Sequence, residues 1–504
     1  MPDSASNPPD GERARNIVQG MGLLALQNVA TSVLGFVFLF AIVRLFPLFQ
    51  YGIYSAVLVT VGIASTIAGF GLNLAATRFV ALLWNDNEKS SWDVARKTVL
   101  LSLVLTVVTT LFYLAISPLL SEYFTKSNSW TWTFLLGGAW IFSVSMANTF
   151  MGILQGLKKY VQLAKIIFVS RLVMVLVSTA ILYFDRNIGI PILAWVFFYS
   201  LMVLWIFMLI GKKLTTATGS FSYSTILRYA MPLGVAGIIA VIATSSDSVI
   251  VGGYLNPTSL GIYQAAISIS TVLGVVALGP LTTALFPEIS SSQKSLGDVS
   301  YGIRLAFRIL TLAVLPASLL VASVSSQLLA LFIGGAYLAG SLTLELVAIF
   351  YVFIAIQTIL LVLLQAVGKT LQVILVGVIT AATDIGVAVI LVPHFGLAGA
   401  VASKVAVYLD GVFVSLYLTR IYLRNLDKSS FYVKGTIAAL IPFVIVLFLS
   451  FYVSSRVLTL IPYSLLYALL CLVCVKWLRL VSSEDRTFLR HTLPGSLRKI
   501  ADYI

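Results

Sequence analysis

Apolar residues run along this chain in blocks of about twenty, separated by short polar connections, from Ile17 to Trp477. That is the length a helix needs, at about 1.5 Å of rise per residue, to cross roughly 30 Å of hydrocarbon. The blocks predict fourteen transmembrane helices, near 17–43, 52–77, 98–118, 133–155, 164–184, 190–211, 230–252, 260–286, 303–323, 341–365, 371–392, 397–420, 435–454 and 457–477. The expected fold is an all-α polytopic membrane protein.

Composition agrees with the pattern. The 504 residues are 60% hydrophobic and 10% charged, with a mean hydropathy of +1.03, far from the values of soluble domains. The first block follows Arg13 and Arg15 as a signal peptide would, but it is long and lacks a small-residue cleavage site, so it is expected to be retained. The two cysteines, Cys471 and Cys474, form a CxxC inside the last block and read as packing or lipid-facing residues. With two histidines in the chain, His394 and His491, no metal site and no cofactor are expected.

The net charge of +14 is distributed by topology. With the N-terminus in the cytoplasm, inner connections carry Lys89, Arg96, Lys97, Lys158, Lys159, Lys212, Lys213, Arg228 and Lys369 among others, and outer ones only Arg44, Lys126, Arg186 and Arg456. Both termini are therefore expected in the cytoplasm. The basic residues sit in short loops rather than on one face, which excludes a nucleic-acid partner. Membrane lipids are the expected partners of the basic tail from Lys476 to Lys499, read as an interfacial amphipathic helix.

A repeat is visible. Gly52-Ile53-Tyr54 recurs as Gly261-Ile262-Tyr263, each after a proline, Pro47 and Pro257; Leu154-Gln155 with Lys159 and Gln162 recurs as Leu364-Gln365 with Lys369 and Gln372. The offsets are 209 and 210 residues. The chain accordingly reads as an N-lobe of six helices (1–211), a C-lobe of six (212–425) and two further helices with the tail (426–504). Six being even, the repeats run parallel about a pseudo-twofold axis along the membrane normal, enclosing a cavity that alternating access would expose to each face in turn.

The connections leave no room for a nucleotide-binding or soluble catalytic domain, and Gly368-Lys369-Thr370 lacks the first glycine of a phosphate loop, Leu363 standing in its place. An enzyme is not expected. Ionisable groups inside hydrocarbon are the functional candidates. Arg171 lies midway along the fifth helix with no acid at helical spacing; it either recognises phosphate through its planar fork or pairs with an acid on another helix. Asp247, among Ser245, Ser246 and Ser248, is either an ion-coupling ligand or satisfied by hydroxyls. Asp384 and Lys404 fall at similar depth on helices eleven and twelve and are expected to neutralise each other, with gating or a substrate role as the alternative. Lys404 and Asp410, six residues apart, point to different faces. Arg44 and Arg78 mark opposite ends of the first hairpin.

The run Arg44-Leu45-Phe46-Pro47 through Tyr51-Gly52-Ile53-Tyr54, followed by Gly71-Leu72 and Arg78-Phe79, resembles the opening hairpin of polysaccharide and oligosaccharide flippases of the multidrug, oligosaccharidyl-lipid and polysaccharide exporter superfamily. Pro232 with Asp247, Pro287, Gly368-Lys369 and Leu391-Val392-Pro393-His394-Phe395-Gly396 extend the likeness over residues 40 to 405. The resemblance implies a flippase that carries a polyprenyl-phosphate or diphosphate-linked oligosaccharide from inner to outer leaflet. It also implies a cationic cavity lined by helices one, two, seven and eight, a monomer in a prokaryotic plasma membrane, and glycan assembly enzymes as partners. Substrate contacts are expected from Arg78, Arg171, Arg44 and Lys404, and ion coupling or gating from Asp247, Asp384 and Asp410. The alternatives are a proton- or sodium-coupled drug exporter of the same superfamily and a membrane glycosyltransferase.

Overall fold

The computed structural model describes residues 10–84, 87–273, 278, 296–423, 429–452 and 458–480. Pro287 and the tail beyond Leu480 lie outside them. The elements are α1 (Asp10–Leu45), α2 (Leu48–Gly69), α3 (Leu72–Trp84), α4 (Glu88–Thr125), α5 (Thr131–Gly156), α6 (Tyr160–Phe184), α7 (Gly189–Thr216), α8 (Tyr223–Tyr254), α9 (Pro257–Leu273), α10 (Leu296–Ile309), α11 (Leu315–Ser323), α12 (Ser341–Ala366), α13 (Thr370–Phe395), α14 (Leu397–Thr419), α15 (Ser429–Tyr452) and α16 (Leu460–Trp477). Among the described residues no strand occurs, and 13 helices are long and apolar enough to cross a membrane. The all-α polytopic fold expected from the sequence is the one observed. Two compact units divide the chain, Met1–Gly261 and Ile262–Ile504.

In the first unit the helices bury large side chains such as Phe38, Ile53, Phe134 and Ile141, and small residues and cross-helix hydroxyls bring their backbones close, as in lipid-embedded helices. A Cβ at Gly156 would lie 2.8 Å from Val80. Thr77 on α3 donates to the carbonyl of Gly152 on α5 at 3.0 Å, Thr60 and Tyr113 share a hydrogen bond of 2.9 Å, and Ser102 and Thr149 one of 2.7 Å. Helix α4 turns Ser91, Thr98, Ser102, Thr106, Ser117 and Ser121 inward and leaves Val104, Val108, Leu111, Phe112 and Leu119 exposed to the lipid side.

The second predicted span, 52–77, is two helices. Phe70 (φ 38°) and Gly71 (φ 73°) break it, and the Phe70 amide closes α2 on the Thr66 carbonyl at 3.1 Å. The left-handed pair fits against α8: a Cβ on Gly71 would approach the Ala230 carbonyl to 2.7 Å, and one on Gly234 would approach that of Phe70 to 2.8 Å. Only glycine offers both the torsion and the space. The two motif glycines also meet. A Cβ on Gly261 would sit 3.1 Å from the Gly52 amide, and one on Gly52 would run into the carbonyl of Pro257.

In the second unit, α10 and α12 bury Ile303, Ala306, Tyr351, Ala355, Ile359 and Leu363, while α11, α12, α15 and α16 bury Leu319, Ala348, Ala439, Phe443 and Tyr467. The predicted turn at His394–Gly396 is a one-residue joint at Gly396 (φ 59°) between antiparallel α13 and α14. Cys474 packs against Ala438 and Leu480, and both cysteines are unbridged, in keeping with the packing role read from the sequence. Among the described residues no His, Cys, Asp or Glu cluster could hold a metal.

Candidate functional site

Arg78 stands on α3 one turn and a half before its end, exposed, with its guanidinium carbon 4.4 Å from the centre of the Tyr229 ring and 5.9 Å from that of Phe79. Phe79 is wedged edge-on against Tyr229 at 5.4 Å and tilted against Phe221 at 5.5 Å. These rings floor an open pocket of about 480 Å³ whose walls are Arg78, Phe79, Ser222, Ser224, Thr225, Arg228 and Tyr229. Two arginines and three hydroxyls thus converge at the start of α8. Ser222 is the residue before that helix and its side chain makes no capping bond, so the first-turn amides add their positive end to the same place. Neither Arg78 nor Arg228 has an acidic partner among the described residues.

The position of that helix start is fixed from α4. Asp93, 2% exposed, accepts from the Phe221 amide at 3.0 Å and from Lys97 at 2.9 Å. Lys97 also donates to the carbonyls of Gly219 and Phe221, and Arg96 to that of Ala217 at 2.6 Å. Inside α8, Pro232 withholds the amide that the Arg228 carbonyl would otherwise receive, loosening the helix at the turn that carries the second arginine. Arg228, Arg96 and Lys97 were legible in the sequence only as topological charge; Asp93 gave no signal there.

The other sequence candidates lie apart from this pocket. Arg171 on α6 is 8% exposed. Its guanidinium lies over Trp195 at 4.2 Å and near Phe198 at 5.3 Å, its Nε has no hydrogen-bond partner, and Tyr54 and Tyr199 are its polar neighbours. Trp195 stacks on Trp140 at 5.4 Å and donates to the Tyr54 hydroxyl at 2.8 Å. Arg44, in the last turn of α1, lies exposed over Phe40 at 4.8 Å. Asp247 is fully buried on α8 and accepts from the amide of Ser248 at 2.7 Å. On the α13–α14 pair, Asp384 is fully buried and Lys404 is 6% exposed; Ser403 donates to Asp384 Oδ1 at 3.1 Å. Asp410, half-buried, accepts from Thr383 at 2.8 Å.

Known structures of the same architecture are transporters. A lipid II flippase MurJ in an inward closed conformation is 15% identical, with a TM-score of 0.76 over 90% of this chain and 99% of that one. An inward-facing multidrug resistance MATE family transporter of the MOP superfamily is 18% identical, with a TM-score of 0.60 over 84% of this chain and 94% of that one. A MOP superfamily transporter from Pyrococcus furiosus, described by a reversed polarity of its binding pocket, is 19% identical with a TM-score of 0.55, over 86% and 94%. At these identities the likeness is one of fold. No curated protein sequence matches. The family model described as polysaccharide biosynthesis protein matches residues 17–293. With that match over more than half of its length, the chain belongs to the polysaccharide biosynthesis protein family and has the fold of a flippase-type membrane transporter.

Proposed function

We propose that the chain is a flippase that carries a polyprenyl-phosphate or diphosphate-linked oligosaccharide from the inner to the outer leaflet by alternating access. The observation that carries this reading is the pocket of Arg78 and Arg228 at the start of α8. Two unpaired guanidinium groups, three hydroxyls and a helix N-terminus form a receptor for phosphate oxygens. With both termini taken as cytoplasmic, the orientation that the loop charges favour, this end of α3 and α8 is cytoplasmic and the pocket faces the leaflet in which such a lipid is made. The same reading takes the chain as two six-helix lobes, 1–211 and 212–425, with 426–504 appended.

A sugar headgroup crossing bare hydrocarbon loses its hydrogen bonds at about several kcal/mol per group. A polar path removes most of that barrier while the prenyl tail stays in lipid. Arg171, buried and without an acidic partner among the described residues, is a second cation on that path, with Arg44 at the outer rim and Lys404 in the C-terminal unit. Asp247, Asp384 and Asp410 are assigned to ion coupling or gating.

The test is purified protein in liposomes offered either a fluorescent polyprenyl-diphosphate oligosaccharide or a cationic dye. Leaflet exchange of the first, without transport of the second, supports the flippase. Dye transport driven by a proton or sodium gradient, without lipid exchange, replaces it by the drug-exporter reading.

A further inference from the structure

The C-terminal unit contains a second polar cavity that the phosphate chemistry does not use. Between α11 and α12 the backbone is irregular. Helix α11 stops at Ser323, one helical turn follows at Ser325–Leu328, a π-turn at Leu329–Ile333, then Gly334 at φ 113° and a 3-10 stretch at Gly335–Gly340. Non-helical backbone inside a membrane protein is tolerated where it is buried in protein or lines a polar cavity, and this stretch borders one. A pocket of about 430 Å³ is lined by Ser323, Ser325, Ser326, Gln327, Leu338, Ser341, Glu345, Leu447 and Ser450.

Its chemistry is specific. Gln327 is 2% exposed. Ser326 donates to its Oε1 at 2.9 Å, which fixes the carboxamide and leaves its amide nitrogen without a partner among the described residues. Glu345, half-buried one turn into α12, has neither a hydrogen bond nor an ion pair among the described residues. The hydroxyls of Ser323 and Ser450 are turned to carbonyls of their own helices, whereas those of Ser325 and Ser341 are not engaged among the described residues. Among the described residues no lysine or arginine lines the pocket, so the described lining does not suit phosphate. A bare cation wants oxygen acceptors alone, and the Gln327 amide is a donor. The volume is more than ten times the roughly 30 Å³ share of one water in the liquid. A carboxylate, a carboxamide donor and hydroxyls that both give and accept match a ligand whose own surface alternates donors and acceptors, as the hydroxyls of a sugar ring do.

We propose that this pocket is a carbohydrate subsite for a sugar residue of the transported glycan, an inference that rests on the flippase reading. Helix α12 runs from the pocket at Ser341 to the Lys369 turn beyond Ala366, so the loop charges that put Lys369 inside put the pocket at the external end of this unit. There it holds sugar after translocation and contributes glycan selectivity that the arginine pocket cannot supply.

The test is ligand-observed NMR on the full-length protein in lipid nanodiscs, titrated with free glucose, galactose and N-acetylglucosamine. Wild type is expected to show saturable binding of at least one of them. Gln327→Leu and Glu345→Gln each weaken it by about tenfold, the loss of one or two ligand hydrogen bonds, and Val108→Ala, on the lipid side of α4, leaves it unchanged. If Gln327→Leu does not fold, Glu345→Gln, which keeps the side-chain shape, decides. No saturable binding by wild type, equal binding by the folded pocket variants, or a sodium-dependent thermal shift lost in Glu345→Gln without any sugar binding would overturn the proposal. Because the readout is free sugar and not leaflet exchange, the subsite and the flippase reading stand or fall separately.

Discussion

The guanidinium of Arg171 lies 4.2 Å from the centre of the Trp195 ring, and that indole is in turn held by a 2.8 Å hydrogen bond to Tyr54. The arrangement is three-layered, with Trp140 on Trp195 at 5.4 Å and nearly parallel. A desolvated cation over an aromatic face gains about 2 kcal/mol, which offsets only part of the cost of burying the charge. That remaining cost is the ground on which the proposed function sets Arg171 on the substrate path.

Replacing it therefore separates stability from transport. Arg171→Met is expected to leave the thermal unfolding midpoint unchanged or raised, and to slow leaflet exchange by at least about tenfold. Arg171→Lys should not rescue exchange, because an ammonium lacks the plane that stacks on Trp195. A midpoint that falls sharply in Arg171→Met would show that the residue is structural.

Gly52 and Gly261 predict a packing lesion. A side chain at Gly52 runs into the carbonyl of Pro257, and one at Gly261 meets the backbone of Leu48 at 3.0 Å. Overpacking against backbone costs about 1–3 kcal/mol, so Gly52→Ala should lower the unfolding midpoint measured in detergent, and Gly52→Val should lower it further.

The matched turns after α5 and α12 make a paired prediction. Lys158 has φ 58° and Gly368 φ 77°; the Lys159 amide reaches the Leu154 carbonyl at 3.0 Å and that of Lys369 the Leu364 carbonyl at 2.8 Å. A left-handed torsion costs a non-glycine residue about 1–2 kcal/mol, and nothing lies within 4 Å of a Cβ built on Gly368, so the effect there is purely torsional. Lys158→Gly should stabilise by up to about 1 kcal/mol and Gly368→Ala destabilise by a similar amount. Midpoints of chemical unfolding for the two variants should move in opposite directions.

Asp93 predicts a local effect. Its buried carboxylate holds the Phe221 amide and Lys97. Asp93→Ala leaves both donors without that acceptor, at about 1–3 kcal/mol, and should expose residues 217–222 to limited proteolysis. Cleavage no faster than in wild type would show that Arg96 and the Lys97 carbonyl contacts suffice.

The helices were legible because hydropathy over about twenty residues measures what the bilayer requires. It did not reveal which face turns inward. Ser102, Thr106 and Ser117 are buried while Val104, Val108 and Phe112 face out, the reverse of a soluble helix, and average hydropathy is blind to that. The break between α2 and α3 was announced by Gly69-Phe70-Gly71, but an apolar window runs straight across it. Arg78 was legible from its motif. Arg228 was hidden among charges that topology already explained, although its place four residues before Pro232, where the helix lacks an amide, was a usable sign. Ser325, Ser326 and Gln327 drew no attention in the sequence, because only the irregular backbone from Val324 to Gly340 brings them beside Glu345.

The most direct measurement of the central claim is the rate at which a fluorescent polyprenyl-diphosphate oligosaccharide exchanges between leaflets of liposomes holding wild type, Arg78→Ala, Arg228→Ala or the double variant, followed by external quenching. Two cations sharing one diphosphate predict that each single variant slows exchange by about tenfold or more, that the double loses less than the product of the two, and that high salt weakens wild type toward the variants. Wild-type exchange that neither arginine affects would contradict the account.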